Sequence, residues 1–221
     1  MNKLDLDKII TSFDEIKEIF EEIQSKLDAP KLKNKYFVRS IVPKEEIIKL
    51  NKKLDNIFKI KNPNNYYDCL TACIFKDPKA ETIFYLVMKE DNFYNLFLSY
   101  FHELGHIANH DSLKVEPDNL EKKIISESLA EAFAYWAIEE YNQSFDLKVE
   151  ESLINLAKRV TLQRQSSVQQ FNEYNFALEV LLFFHKLFGS SKKTYLQIQD
   201  LTENHFSELA EIISNRYISN K

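Results

Sequence analysis

His102, Glu103 and His106 stand as His-Glu-x-x-His within a chain of 221 residues. That spacing has a geometric meaning. Residues i and i+4 of a helix share one face, about 5–6 Å apart at Cβ, so two imidazoles can reach one metal ion. Glu103 is rotated by about 100° from His102 and can lean over a metal-held water rather than ligate. The flanking residues favour a helix: Phe93, Phe97, Tyr100, Phe101, Leu104, Ile107 and Ala108 form an apolar stripe. Both histidines fall opposite the centre of that stripe, together with Asn95, Ser99 and Asn109. A histidine packed in the core would share the stripe. A solvated polar face is the plain alternative.

A catalytic zinc centre has three protein ligands and keeps one position for water or substrate. His110 is the nearest third ligand, but it lies one more turn along the face of His106. Three imidazoles on successive turns reach beyond one ion's radius unless the helix breaks. Glu127 is the better choice. It opens the run Glu127-Ser128-Leu129-Ala130-Glu131-Ala132-Phe133-Ala134 on the following helix. Glu127 and Glu131 are one turn apart on one face. Ala130 and Ala134 are small and permit close helix approach. One carboxylate can ligate while the other accepts an N–H from a ligating histidine. Two solvated glutamates on an acidic helix are the bland alternative.

His102-Glu103-Leu104-Gly105-His106 followed by Glu127-x-x-Ala130-Glu131 resembles the gluzincin clan of zinc metallopeptidases. Within that clan, Phe101 to His106 with Glu127-x-x-Ala130-Glu131-x-Phe133-Ala134 is similar to the ImmA/IrrE-like intracellular peptidases. The resemblance covers about residues 80–140. It implies that His102, His106 and Glu127 bind zinc, that Glu131 orients the site, and that Glu103 is the general base. It also implies hydrolysis of peptide bonds through a zinc-bound water, in enzymes that often have regulatory roles such as repressor cleavage. A strand preceding the metal helix, Thr82 to Met88, would then border the cleft and pair with an extended substrate. The rival readings are a protein-interaction or regulatory module that keeps zinc without turnover, and a plain helical one.

The elements that must position these residues are mostly helical. The chain has only 2 glycines and 5 prolines, too few for the turns of a sheet sandwich or a phosphate-cradling nucleotide fold. Apolar residues make up 44%, enough for a sizeable core. Lys and Arg number 29 against 34 Asp and Glu, a net −5 that gives no reason to expect nucleic-acid binding. The expected class is α+β, predominantly α-helical: a zincin-like core with a small β-sheet beside the active-site helix, and extra helices at both ends. Three regions are expected: N-terminal helices over 1–60, the metallopeptidase core over 61–142, and C-terminal helices over 143–221.

Leu6, Ile9, Phe13, Ile16, Phe20, Ile23 and Leu27 predict a helix over 4–27 with a seam of heptad type. It packs on its own domain or offers a dimer or partner contact. Further helices are expected at 43–59, 92–110, 121–141, 149–166, 169–188 and 202–218. Tyr67 to Phe75 and Thr82 to Met88 read as a hairpin around Lys76-Asp77-Pro78-Lys79. Gly189 reads as a helix stop. Gly105 is different, because glycine inside a helix costs about 1 kcal/mol against alanine. Its presence predicts a neighbouring backbone or a substrate passing close. Cys69 and Cys73 read as two thiols of a cytoplasmic protein. Neither a signal segment at Met1 to Glu22 nor a membrane span is expected. Tyr135, Tyr141, Arg159, Arg164, His185 and His205 are candidate donors to a developing oxyanion. His185, amid leucine and phenylalanine, reads as a satisfied core residue.

Overall fold

Aromatic and leucine side chains occur on so many positions of residues 93–108 that a single apolar face cannot hold them all. A helix of that kind must be covered from several sides. The computed structural model describes residues 4, 8–12, 14–27, 35–38, 72–77, 80–85, 92–109, 120–144 and 172–218. Its elements are α1 (Asp14–Lys26), β1 (Lys35–Val38), β2 (Ala72–Asp77), β3 (Ala80–Tyr85), α2 (Phe93–Ala108), α3 (Leu120–Ser144), α4 (Asn172–Phe188), α5 (Ser191–Asn204) and α6 (Phe206–Ile213). A π-helical turn, Ser214–Ile218, follows α6. Among the described residues no helix is long and apolar enough to cross a membrane.

The expected α+β class is corrected. The part of the chain described with its side chains is 88% helical and contains no strand or sheet. Outside that part only a backbone ladder is described: β3 lies between β1, parallel to it, and β2, antiparallel to it. Ala72 pairs with Tyr85 and Asp77 with Ala80. The physical reason for the correction lies in α3. Every residue from Ser128 to Ile138 is buried, so no side of that stretch faces solvent. Helix α2 approaches it at Gly105 and Ala130. Helix α4 reaches it where Ser128 Oγ donates to Ala177 O, and α5 covers Phe133 and Trp136 with the Tyr195 ring. The core around the site is helix on helix.

Helix α1 starts at Asp14, ten residues later than the heptad seam suggests. Upstream, Phe93 N donates to Lys8 O and Ile9 bridges Asn92, which holds that backbone extended against the entry to α2. Ile9 is therefore exposed and its neighbour Ile10 buried. From Ile16 onward the seam is kept: Ile16, Phe20, Ile23 and Leu27 are buried, joined by Ile19. The Phe20 ring lies 4.5 Å from that of Tyr100, 5.6 Å from Phe97 and 5.7 Å from Phe101. Such pairs contribute about 0.5–1.5 kcal/mol each beyond the area they bury. From Ile16 to Leu27 the seam thus faces this chain's own core. One buried cluster takes residues from all three regions read from the sequence.

The C-terminal helices also differ from expectation. Helix α4 ends at Gly189, whose φ of 73° and N–H to His185 O form the expected stop. Ser190 then caps a new helix, its Oγ accepting from Lys193 N, and Ser191 N donates to Glu139 Oε1 of α3. That helix, α5, runs to Asn204, so the helix expected from 202 begins earlier and breaks at His205. The buried side of α5 is half polar, with Thr194, Gln199 and Thr202 beside Tyr195 and Ile198, so its apolar period is faint. Helix α3 continues past its expected end at 141 and stops at Ser144. Helices expected at 43–59 and 149–166 fall outside the described residues, as do Cys69 and the side chain of Cys73.

Candidate metal centre

Two helices build the site, and a glycine sets their distance. A Cβ placed on Gly105 would stand 2.8 Å from Ala130 Cα, 3.1 Å from Ala130 O and 3.0 Å from Phe133 Cβ. Backbone atoms cannot yield as a flexible side chain can. Gly105 therefore lets α2 rest against α3, and the close approach read from the sequence is to a neighbouring backbone. The face of α2 opposite its aromatic stripe is turned onto α3, so His102 is buried although it does not share the stripe.

At this contact His102, His106 and Glu127 come together, their donor atoms all within 4.8 Å of one another. His102 Nε2 lies 3.1 Å from His106 Nε2 and 3.2 Å from Glu127 Oε2. His106 Nε2 lies 3.5 Å from Glu127 Oε1. The two rings are nearly perpendicular, with centroids 4.7 Å apart. Their other nitrogens point outward to partners. His102 Nδ1 is 3.1 Å from Glu131 Oε1, and His106 Nδ1 is 3.1 Å from Ser126 Oγ. A carboxylate and a hydroxyl at these distances suit the tautomer with the proton on Nδ1, which leaves Nε2 free to ligate.

The spacing can be tested against a metal. A tetrahedral site with ligand distances of about 2.0–2.1 Å has donor–donor edges of about 3.3–3.4 Å. The imidazole–imidazole edge is 3.1 Å, close to that value, and the carboxylate approaches the two rings through different oxygens, Oε2 at 3.2 Å from His102 and Oε1 at 3.5 Å from His106. Two imidazoles and one carboxylate are a donor set that suits zinc. The trio can hold a metal ion. Glu103 is half-buried one position along α2 from His102.

Electrostatics follows from the same contacts. Burial opposes a charge on His102, but Glu131 and Glu127 outweigh it and push the imidazolium up to about 10. Burial likewise opposes the Glu127 carboxylate, yet His106 and His102 hold it well below the usual carboxylate range. The two shifts describe one pairing. The His102 part stabilises the metal-free fold fully below its ordinary value of 6.5 and is lost as pH rises through about 10. The Glu127 part is present above its ordinary value of 4.5 and is lost as pH falls below it. Metal-free protein is therefore stabilised most by this pairing between pH 4.5 and 6.5. An ion held by His102 would displace its proton, so apparent metal affinity should rise about tenfold per pH unit from pH 7 to 9. Chelator competition at several pH values measures that slope; a flat profile would contradict a protonated His102.

Ser126 is the site residue that the motif does not announce. Its signal is indirect: each ligating histidine needs a partner for its second nitrogen, and Ser126 directly precedes Glu127. Glu131→Gln and Ser126→Ala should each weaken binding of a metal ion at the trio, by about 10–100-fold for the former and toward the low end for the latter. The difference arises because water can replace a half-exposed hydroxyl more easily than a buried carboxylate. Equal affinity in both variants would remove the two residues from the site.

Among the described residues, the other candidates are not brought to the trio. Tyr141 donates to Leu4 O, and lies 14 residues along α3 from Glu127, about 21 Å of helix. Tyr135 is buried 8 residues, or about 12 Å, along the same helix. His185 is half-buried and faces Glu139 at 3.9 Å, and His205 is exposed between α5 and α6. His110, Arg159 and Arg164 fall outside the described residues. Comparison with protein-family models, with curated proteins and with solved structures finds no match to this chain.

Proposed function

We propose that this chain is a zinc-dependent metallopeptidase that hydrolyses peptide bonds of a peptide or protein substrate in the cytoplasm. One observation carries the reading: His102 Nε2, His106 Nε2 and the Glu127 carboxylate converge, with a ligand atom from each within 4.8 Å of the others and approaches of 3.1, 3.2 and 3.5 Å. His102, His106 and Glu127 would hold the ion. A bound zinc supplies Lewis acidity toward water and toward the scissile carbonyl. Glu103 accepts a proton from the attacking water at its carboxylate and returns it to the leaving amine nitrogen. Glu131 and Ser126 keep the two imidazoles in the ligating tautomer. His102 is buried, while His106 and Glu127 keep about a fifth of their side-chain surface, so substrate approaches from their side. The scarcity of cysteine supports a reducing compartment.

The test is hydrolysis of a mixed peptide library by zinc-loaded protein, with Glu103→Gln in parallel. Cleavage by wild type that is lost in the variant, with zinc retained in both, is the expected result. Zinc binding with no cleavage of any peptide would favour a regulatory module that keeps the metal without turnover.

A further inference from the structure

His106 lies in the last turn of α2, which ends at Ala108. Last turns fray, because their carbonyls lack partners within the helix. A ligand there needs an anchor, and a buried polar chain provides one. Asn109 donates to Gly105 O twice, through its backbone N at 3.2 Å and its side-chain Nδ2 at 2.7 Å. Asn109 Oδ1 in turn accepts from the Tyr195 hydroxyl of α5 at 3.2 Å. Asn109 and Tyr195 are both fully buried, so water does not substitute for either bond. The Tyr195 ring packs against Phe133 and Trp136 of α3, at 5.4 and 5.6 Å. Phe133 Cβ closes the circuit by standing against Gly105. Tyr195 therefore touches both helices that supply the trio: α3 through its ring and the end of α2 through its hydroxyl. Burial pushes that hydroxyl's pKa up to about 12, so it stays a donor across the working pH range.

We propose that Tyr195 is a positioning residue for the metal centre, holding the last turn of α2 through Asn109 so that His106 stays in register with Glu127. This rests on the zinc reading of the trio. It makes a helix of the C-terminal region part of the site's support, not an appendage to it.

The experiment is zinc affinity by chelator competition on the full chain, with thermal melting of the metal-free protein alongside. Tyr195→Phe keeps the ring and removes the hydroxyl. Its matched control is Tyr141→Phe, which removes a buried hydroxyl bonded to Leu4 O, far from the trio. Both variants should melt lower. Only Tyr195→Phe should lose zinc affinity, by about tenfold, the low end for a partner beyond the ligands. A second variant separates positioning from stability. Asn109→Leu added to Tyr195→Phe removes the stranded polar group and regains part of the melting temperature. It also removes the side-chain bond to Gly105 O and leaves only the backbone one, so affinity should remain low. Wild-type affinity in Tyr195→Phe, equal losses in the Tyr141 control, or affinity that recovers with the melting temperature would each overturn the positioning role alone. A wild type that takes up no stoichiometric zinc would overturn it together with the peptidase reading.

Discussion

Replacing Glu103 with glutamine lowers peptide hydrolysis by about 10²–10⁴-fold, the usual contribution of a positioned general base, and leaves zinc affinity nearly unchanged. The two halves of that result come from different parts of α2. Glu103 is not one of the three donors that converge, so an amide there removes no ligand. It does remove the only acceptor that the motif offers for the water's proton. His102→Ala shows the contrast. It removes one of three ligands and leaves Glu131 facing an empty position, so zinc affinity falls by more than the roughly hundredfold seen when an outer partner is lost. Activity then falls with occupancy and returns in part when zinc is raised. Steady-state kinetics at saturating zinc, read beside chelator competition, separates the two. If Glu103→Gln retained full activity, Glu103 would not be the base and the mechanism would fail, whatever the metal content.

Gly105→Ala destabilises the protein by about 1–2 kcal/mol, although alanine is the better helix former. Propensity alone stabilises α2 by about 1 kcal/mol in that exchange. The added methyl would meet Ala130 Cα at 2.8 Å and Ala130 O at 3.1 Å, and relief requires α2 and α3 to separate. Overpacking of that kind costs typically 1–3 kcal/mol, toward the upper end when the obstacle is backbone. Separation also moves His102 and His106 away from Glu127, so zinc affinity falls at the same time, by about tenfold or more if ligand distances must hold to within about 0.2 Å. Denaturant melts of metal-free protein and zinc titrations measure the two effects independently. A variant more stable than wild type, as propensity alone dictates, would mean that the helices do not touch at Gly105.

The convergence of His102, His106 and Glu127 is legible in the sequence because these residues obey a local rule. His102 and His106 are one turn apart, and Glu127 and Glu131 repeat that spacing on the next helix. Helix geometry brings each pair to one face, and the one unusual glycine marks where the two helices meet. What escaped notice depends on long-range contact. Ser126 has no periodic signature, and its relevance exists only because α3 crosses α2 at that point. Tyr195 comes from 86 residues beyond Asn109 along the chain. The fold class is hidden for a related reason. Two apolar stretches before the metal helix, Tyr67 to Phe75 and Thr82 to Met88, read as a hairpin beside it, whereas α3 is enclosed by helices, including one whose buried side is half threonine and glutamine. A hydrophobic period cannot reveal such a helix. The N-terminal seam was visible, but not the pairing of Lys8 and Ile9 with the start of α2 that delays the helix to Asp14.

The central claim is that His102, His106 and Glu127 hold one zinc ion. X-ray absorption at the zinc edge, on protein freed of metal and titrated back, tests it most directly. The predicted result is one zinc per chain, bound by two imidazole nitrogens and carboxylate oxygen at about 2.0–2.2 Å, with the imidazole scattering reduced in His102→Ala. Absence of stoichiometric zinc, or a bound zinc whose spectrum is the same in His102→Ala as in wild type, would contradict it.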